Sequence, residues 1–211
     1  MRKNKKISKS QKQLISFVVD GKCELWYLQL LKQHEKLNDN NIILEPKLPQ
    51  KKKLKDQFNL VKELSEQSEK TFWIVDADTI LKETRETTRS KKTSLQEFQE
   101  LYTKCLKNKK IHVIVNNPCL EYWFLQHFEQ TSKYFATYSD LENSLKKHLP
   151  DYKKTEKQYK NPRQNIYQKL MPNLPTAITN AEKLGKFRFE NTETGIAEMY
   201  EIFHELGFIN K

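Results

Sequence analysis

Short unbroken apolar runs alternate with amphipathic stretches through the first 130 residues. Residues 14–19, 41–44, 71–75 and 111–115 predict strands, and apolar runs this short suit strands covered by helices on both faces. Between them, residues 24–37 carry Leu25, Leu28 and Leu31, and residues 51–69 space Leu54, Phe58, Val61 and Leu64 by four or three, as amphipathic helices do. Residues 94–107 open on Ser94-Leu95-Gln96-Glu97, a capping box. Residues 120–128 follow Asn117-Pro118, an N-cap residue and a proline suited to a first helical turn. Residues 79–93 are polar, with Arg85, Arg89, Lys91 and Lys92, and predict a mobile loop. Alternating strands and helices imply an α/β fold, a mostly parallel sheet with right-handed crossovers.

Beyond Ser132 the strand signals fade. Ser139-Asp140-Leu141-Glu142 predicts another capping box, and Pro175 opens a helix that ends at Gly185. Residues 193–206 place Ile196, Met199, Tyr200 and Phe203 at helical spacing; Gly207 ends that helix and Phe208 packs back on its last turn. The expected organisation is a flexible basic arm over 1–12, an α/β domain over 13–130, and a helical C-terminal extension over 131–211 packed on it.

Charge changes the picture more than length does. The chain carries 38 Lys+Arg against 27 Asp+Glu in 211 residues, a net charge of +11. That balance favours an anionic partner, nucleic acid being the simplest, although a lysine-rich solvated surface has the same composition. Cys23, Cys105 and Cys119 form no C-x-x-C pair, so a disulfide framework or zinc site is not expected and a reducing cytoplasm is. No apolar run approaches the ~20 residues that span a bilayer. No G-x-x-x-x-G-K-[ST] loop occurs, which argues against intrinsic ATP hydrolysis.

Against this basic background, two strands run into acids: Val18-Val19-Asp20-Gly21-Lys22-Cys23-Glu24 and Ile74-Val75-Asp76-Ala77-Asp78. Continued as a strand, the second segment points Asp76 and Asp78 to one face. Ligands of parallel sheets collect at the carboxyl ends of strands. Asp20, Asp76 and Asp78 there suit Mg²⁺ or Mn²⁺, hard cations that prefer oxygen ligands. Gly21 allows a tight turn after the strand, and Glu24 falls in the first helical turn, where an acid is also favoured by the helix dipole alone. Glu121 in a later first turn has the same two readings. His127, on a face with Leu120, Trp123 and Phe124, reads as a hydrogen-bonded, half-buried histidine, and His112 as structural or surface.

These segments resemble the Toprim domain of topoisomerases, bacterial primases and overcoming-lysogenization-defect nucleases, which has an acid and glycine after its first strand and a D-x-D after its third. They are closer to the RloB-like family of Toprim proteins. The most specific stretch is Asn116-Asn117-Pro118-Cys119-Leu120-Glu121-Tyr122-Trp123-Phe124-Leu125-Gln126-His127-Phe128-Glu129, with Asn191-Thr192-Glu193-Thr194 a later similarity. The resemblance implies a Toprim-like, Rossmann-like fold and a metal-dependent nuclease of phage-defence loci, working with a separate ATPase. It implies catalytic roles for Asp20, Glu24, Asp76 and Asp78. In one departure, the first acid of the Toprim pattern is normally glutamate and here is Asp20, shorter in reach by ~1.5 Å. A catalytically degenerate module that binds nucleic acid or docks on an ATPase is the alternative. Lys153, Lys154, Lys157 and Lys160, interleaved with Tyr152, Tyr159 and Tyr167, are candidates for tracking a phosphate backbone and stacking bases.

Overall fold

A computed structural model describes residues 13–37, 42–49, 53–88 and 91–207. The basic arm, residues 51 and 52 of the lysine run, Arg89 and Phe208 lie outside them. Five strands form one sheet in the order β2-β1-β3-β4-β5: β1 Gln13–Val18, β2 Ile42–Lys47, β3 Lys70–Asp76, β4 Ile111–Asn117 and β5 Ile196–Ala197. The first four are mutually parallel and β5 is antiparallel to β4. The fold is α/β and Rossmann-like, with helices on both faces of a mostly parallel sheet.

Alternate strand residues feed two cores, as the side-chain period of two requires. Phe17, Phe72, Ile74 and Ile114 face a core built on α1 (Lys22–His34), α5 (Glu121–Gln126) and the C-terminal helices. Val18, Trp73, Val75, Val113 and Val115 face the other, formed with α2 (Leu54–Gln67), α3 (Ala77–Glu86) and α4 (Ser94–Cys105). All six residues of α5 are buried. A helix enclosed on every side normally lacks charge, so Glu121 within it calls for a physical explanation.

Several local expectations fail for identifiable reasons. The loop expected over 79–93 is largely α3: Ala77, Ile80 and Leu81 make a short i, i+3, i+4 apolar stripe that the surrounding charges obscure. The cap of α4 is one residue earlier than expected, because Thr93 and Gln96 form the reciprocal box while Ser94 Oγ donates to Glu83 at 2.7 Å. In α6 (Tyr138–Lys146) the box is likewise Thr137 with Asp140, and Glu142 pairs instead with Lys146. Asn117 caps no helix. It ends β4, its Nδ2 donates at 2.8 Å to the carbonyls of Thr192 and Thr194, and α5 begins only at Glu121.

The helix expected over 193–206 is replaced by β5 and the shorter α10 (Tyr200–Glu205). The open edge of β4 captures Ile196 and Ala197, and Glu198 continues the hold: its carboxylate accepts from the backbone N–H groups of Val115 (2.9 Å) and Phe187 (2.8 Å). Tertiary pairing here overrides local helical spacing. A Cβ at Gly195 would run into the Tyr122 ring, so this close approach requires glycine. The helix α9 (Leu174–Leu184) does start beside Pro175 and end at Gly185, which takes φ 74°.

Candidate active site

Adjacent parallel strands β1 and β3 bring their carboxyl ends together, and with them the acids that follow each strand. Asp76 is the last residue of β3, and the chain turns into α3 immediately after it. Asp78 therefore stands in the first turn of a helix, and the shared strand face expected for the pair does not exist. Its Oδ1 accepts from Thr79 N–H at 2.6 Å and its backbone N–H donates to the Pro118 carbonyl at 3.0 Å. That second bond ties the β3–α3 junction to the β4–α5 connection, which leads to Glu121.

Glu24 lies in the first turn of α1 and is 3% exposed; Glu121 opens α5 and is fully buried. Burial raises the Asp76 carboxyl well above its usual range, followed in order by the charges of Glu24, Asp20, Glu121 and Asp78. Glu24 is pushed up to about 7 by burial, then by Glu121 and by Asp20. Burial also raises Asp78, against the hydrogen bonds from Thr79. Each of these acids makes its neighbours harder to ionise, as like charges drawn together do.

Asp20 approaches from the other face of the sheet. Gln57 Nε2 donates to its Oδ1 at 3.0 Å, and Gln57 Oε1 accepts from the buried Trp73 indole at 2.8 Å. The indole fixes the amide orientation, and the amide fixes the carboxylate. Gly21 needs no special backbone: its φ of −142° and ψ of −177° are open to any residue. A Cβ there would sit 2.9 Å from Glu24 Oε2, so the glycine leaves room for that carboxylate, a different reason from the tight turn expected.

Glu121 is buried because the C-terminal segment neutralises it. Tyr152 donates its hydroxyl to Oε1 at 2.6 Å, Lys154 Nζ lies 2.8 Å from Oε2, and the Tyr152 and Tyr159 hydroxyls share a 2.6 Å hydrogen bond. Such charge-assisted bonds offset the desolvation of a buried carboxylate. The base-stacking reading of this segment is therefore wrong: Tyr152, Tyr159 and Tyr167 are all buried, their rings filling the core beside α1 and α5. All four lysines are exposed, but the Lys154 ammonium is directed at Glu121 and Lys160 pairs with Glu156 at 2.7 Å. Cys23 and Cys119 are held in the thiol form, raised first by burial and next by Glu121.

The model of the family described as RloB-like protein matches residues 15–206. The chain belongs to the RloB-like family. No curated protein and no solved structure matches it. The matched span takes in Asp20, Glu24, Asp76, Asp78 and Glu121, and also the C-terminal segment that supplies Lys154, β5 and Glu198.

Three contributors to this RloB-like site carry no obvious signal in its sequence. Gln57 looks like any polar residue of an amphipathic helix. Lys154 is one lysine in a run. Asn116 pairs in register with Asp76 on β4; it is fully buried, and neither its Oδ1 nor its Nδ2 has a hydrogen-bond partner. Asp76 Oδ1 is similarly sealed and unpartnered. Among the described residues no three Asp, Glu, His or Cys side chains form a ready-made metal-ligand group. The donors nonetheless fit a Mg²⁺-type ion, which commonly takes one or two protein carboxylates and fills its octahedron with water and substrate phosphate. The orphaned Asp76 oxygen and the mutually raised carboxyls are the observations supporting that fit. His127 serves the core: it is 2% exposed, more deeply buried than expected, with Nδ1 3.0 Å from the Trp123 carbonyl.

Proposed function

We propose that the protein is a metal-dependent nuclease that hydrolyses phosphodiester bonds in DNA or RNA and acts in anti-phage defence, with a separate chain supplying ATPase activity. The observation carrying this reading is the convergence of Asp20, Glu24, Asp76 and Asp78 at the carboxyl ends of two adjacent parallel strands. It agrees with the Toprim pattern of an acid after the first strand and a D-x-D after the third.

Asp76 and Asp78 are the residues that would hold Mg²⁺ or Mn²⁺, with Asp20 completing the set. Such an ion, when bound, supplies charge stabilisation at a phosphoryl oxygen and lowers the pKa of an attacking water. Glu24 takes the acid/base role that the shorter Asp20 leaves open. Its carboxyl, raised to about 7, exchanges a proton near neutral pH, as a general acid or base must. Asp20 is oriented by the Gln57 amide, whose Nε2 donates to its Oδ1. A groove of about 550 Å³ opens beside Asp20 and Asp76, and Lys53, Lys55 and Thr79 line it as well. Those lysines suit the flanking phosphates of a nucleic-acid strand better than Lys154 or Lys160, which are already paired.

A second reading, a degenerate module that binds nucleic acid or an ATPase without cutting, draws on the lack of a preformed three-residue ligand group among the described residues. A cleavage assay on DNA and RNA with Mg²⁺ or Mn²⁺ separates the two. The nuclease reading expects cleavage by the wild type and none by Asp76→Ala or Asp78→Ala. Cleavage surviving both substitutions sinks the site assignment. A wild type that binds nucleic acid but never cuts, with or without an ATPase partner, favours the second reading.

A further inference from the structure

Of the four lysines in the segment 153–160, Lys154 alone is turned towards the carboxylates, and its position is built rather than accidental. Tyr152 and Tyr159, on either side in sequence, are buried and hydrogen-bonded to each other, and Tyr152 is bonded to Glu121. Thr155 caps the short helix α7 (Glu156–Tyr159) by accepting from Gln158 N–H. This frame delivers the Lys154 ammonium to within 2.8 Å of Glu121 Oε2 and 3.9 Å above the Tyr138 ring. From there its charge reaches Glu24, Asp76 and Asp78, easing the ionisation of Glu24 and Asp78 and being stabilised in turn by Asp76.

We propose that Lys154 is the resident countercharge of the carboxylate cluster, a positioning residue whose ammonium competes with a divalent cation and is released towards solvent when the cation enters. The inference rests on the cation-binding reading of the site given above and adds the means by which the acids remain together before an ion arrives. The side chain is 34% exposed, so its ammonium has a path out. Lysine suits exchange of this kind: it is a point charge on a flexible four-carbon stem, without the fixed fork with which arginine would grip Glu121. A divalent ion at Asp76 and Asp78 would bring twice the charge to the cluster that Lys154 serves from Glu121, and repulsion between the two cations favours the outward position of the weaker one.

Amine acylation of the wild-type protein, read by mass spectrometry with and without Mn²⁺, tests this without any substitution. Mn²⁺ is expected to raise the modification of Lys154 severalfold while Lys153 and Lys157 stay constant. In parallel, calorimetry should find Mn²⁺ bound about tenfold more tightly by Lys154→Met than by wild type, and more weakly by Lys154→Arg, whose fork grips Glu121. Should Lys154→Met fail to fold with Glu121 unpaired, the labelling result still decides. Wild-type protein that binds Mn²⁺ with Lys154 labelling unchanged overturns this inference alone. Wild-type protein that binds no Mn²⁺ overturns both the inference and the cation-binding reading beneath it.

Discussion

Replacing Glu24 by glutamine should stabilise the ion-free protein at pH 8 and, on the nuclease reading proposed above, abolish cleavage. Glu24 is 3% exposed, and burial with the charges of Glu121 and Asp20 takes its carboxyl from 4.5 to about 7. The sign follows from linkage. An acid whose pKa is raised on folding binds more protons in the native state, so its contribution to stability is full below pH 4.5 and is lost as pH rises through 7. The loss is the rise from 4.5 to about 7 multiplied by about 1.4 kcal/mol per pH unit, or roughly 3–4 kcal/mol at pH 8. Glutamine has nearly the same shape and no charge to lose. Relief of Asp76, on which Glu24 is the strongest neighbouring charge, adds in the same direction. A gain of about 3–4 kcal/mol corresponds to a Tm increase of roughly 6–16 °C for a chain of this size. Thermal denaturation in EDTA at pH 5 and pH 8 measures it: the variant should exceed wild type at pH 8, and the gap should shrink towards pH 5. A variant less stable than wild type at pH 8, or a gap independent of pH, refutes the claim that these carboxylates repel one another.

Other consequences are smaller in scope. Gln57→Leu removes the acceptor of a buried indole N–H and a donor to Asp20; denaturant unfolding should register a loss of about 1–3 kcal/mol, and metal-dependent cleavage should fall more than stability alone explains. Unchanged stability would show that the Trp73–Gln57 bond is not formed. His127, pushed down to about 4 by burial, should titrate near that value by NMR. Its neutral form supports the fold above pH 6.5, and that support, on the order of 3 kcal/mol, is lost as pH falls from 6.5 through 4. A measured pKa above 6 contradicts its placement.

What the sequence makes legible is the sheet and the acids at its ends. Uninterrupted apolar runs identify β1, β3 and β4, and the order of helices between them leads to parallel neighbours. Asp20, Asp76 and Glu24 are readable because strand and helix boundaries near them carry strong local signals. Asp78 is read correctly as an acid near the strand end and wrongly as part of the strand, since Asp-Ala-Asp is compatible with either a continued strand or a helix start. Both misplaced capping boxes arise where two Ser/Thr residues compete, and only the packing of the helix behind them chooses between the candidates. β5 depends on an edge of β4 that no local pattern in Ile196-Ala197 can report. Lys154 is least legible of all: its inward direction is set by Tyr152 and Tyr159 packing in the core, and a lysine in a basic run otherwise points to solvent.

On the function proposed above, the acids after β1 and β3 form one cation site. Anomalous diffraction at the manganese edge, from a crystal soaked in Mn²⁺, tests it directly. The expected result is a peak within ligand distance of Asp76 and at least one of Asp78, Asp20 or Glu24, lost in Asp76→Asn. A crystal that takes up no Mn²⁺ there at millimolar concentration, or holds it only elsewhere, contradicts the account.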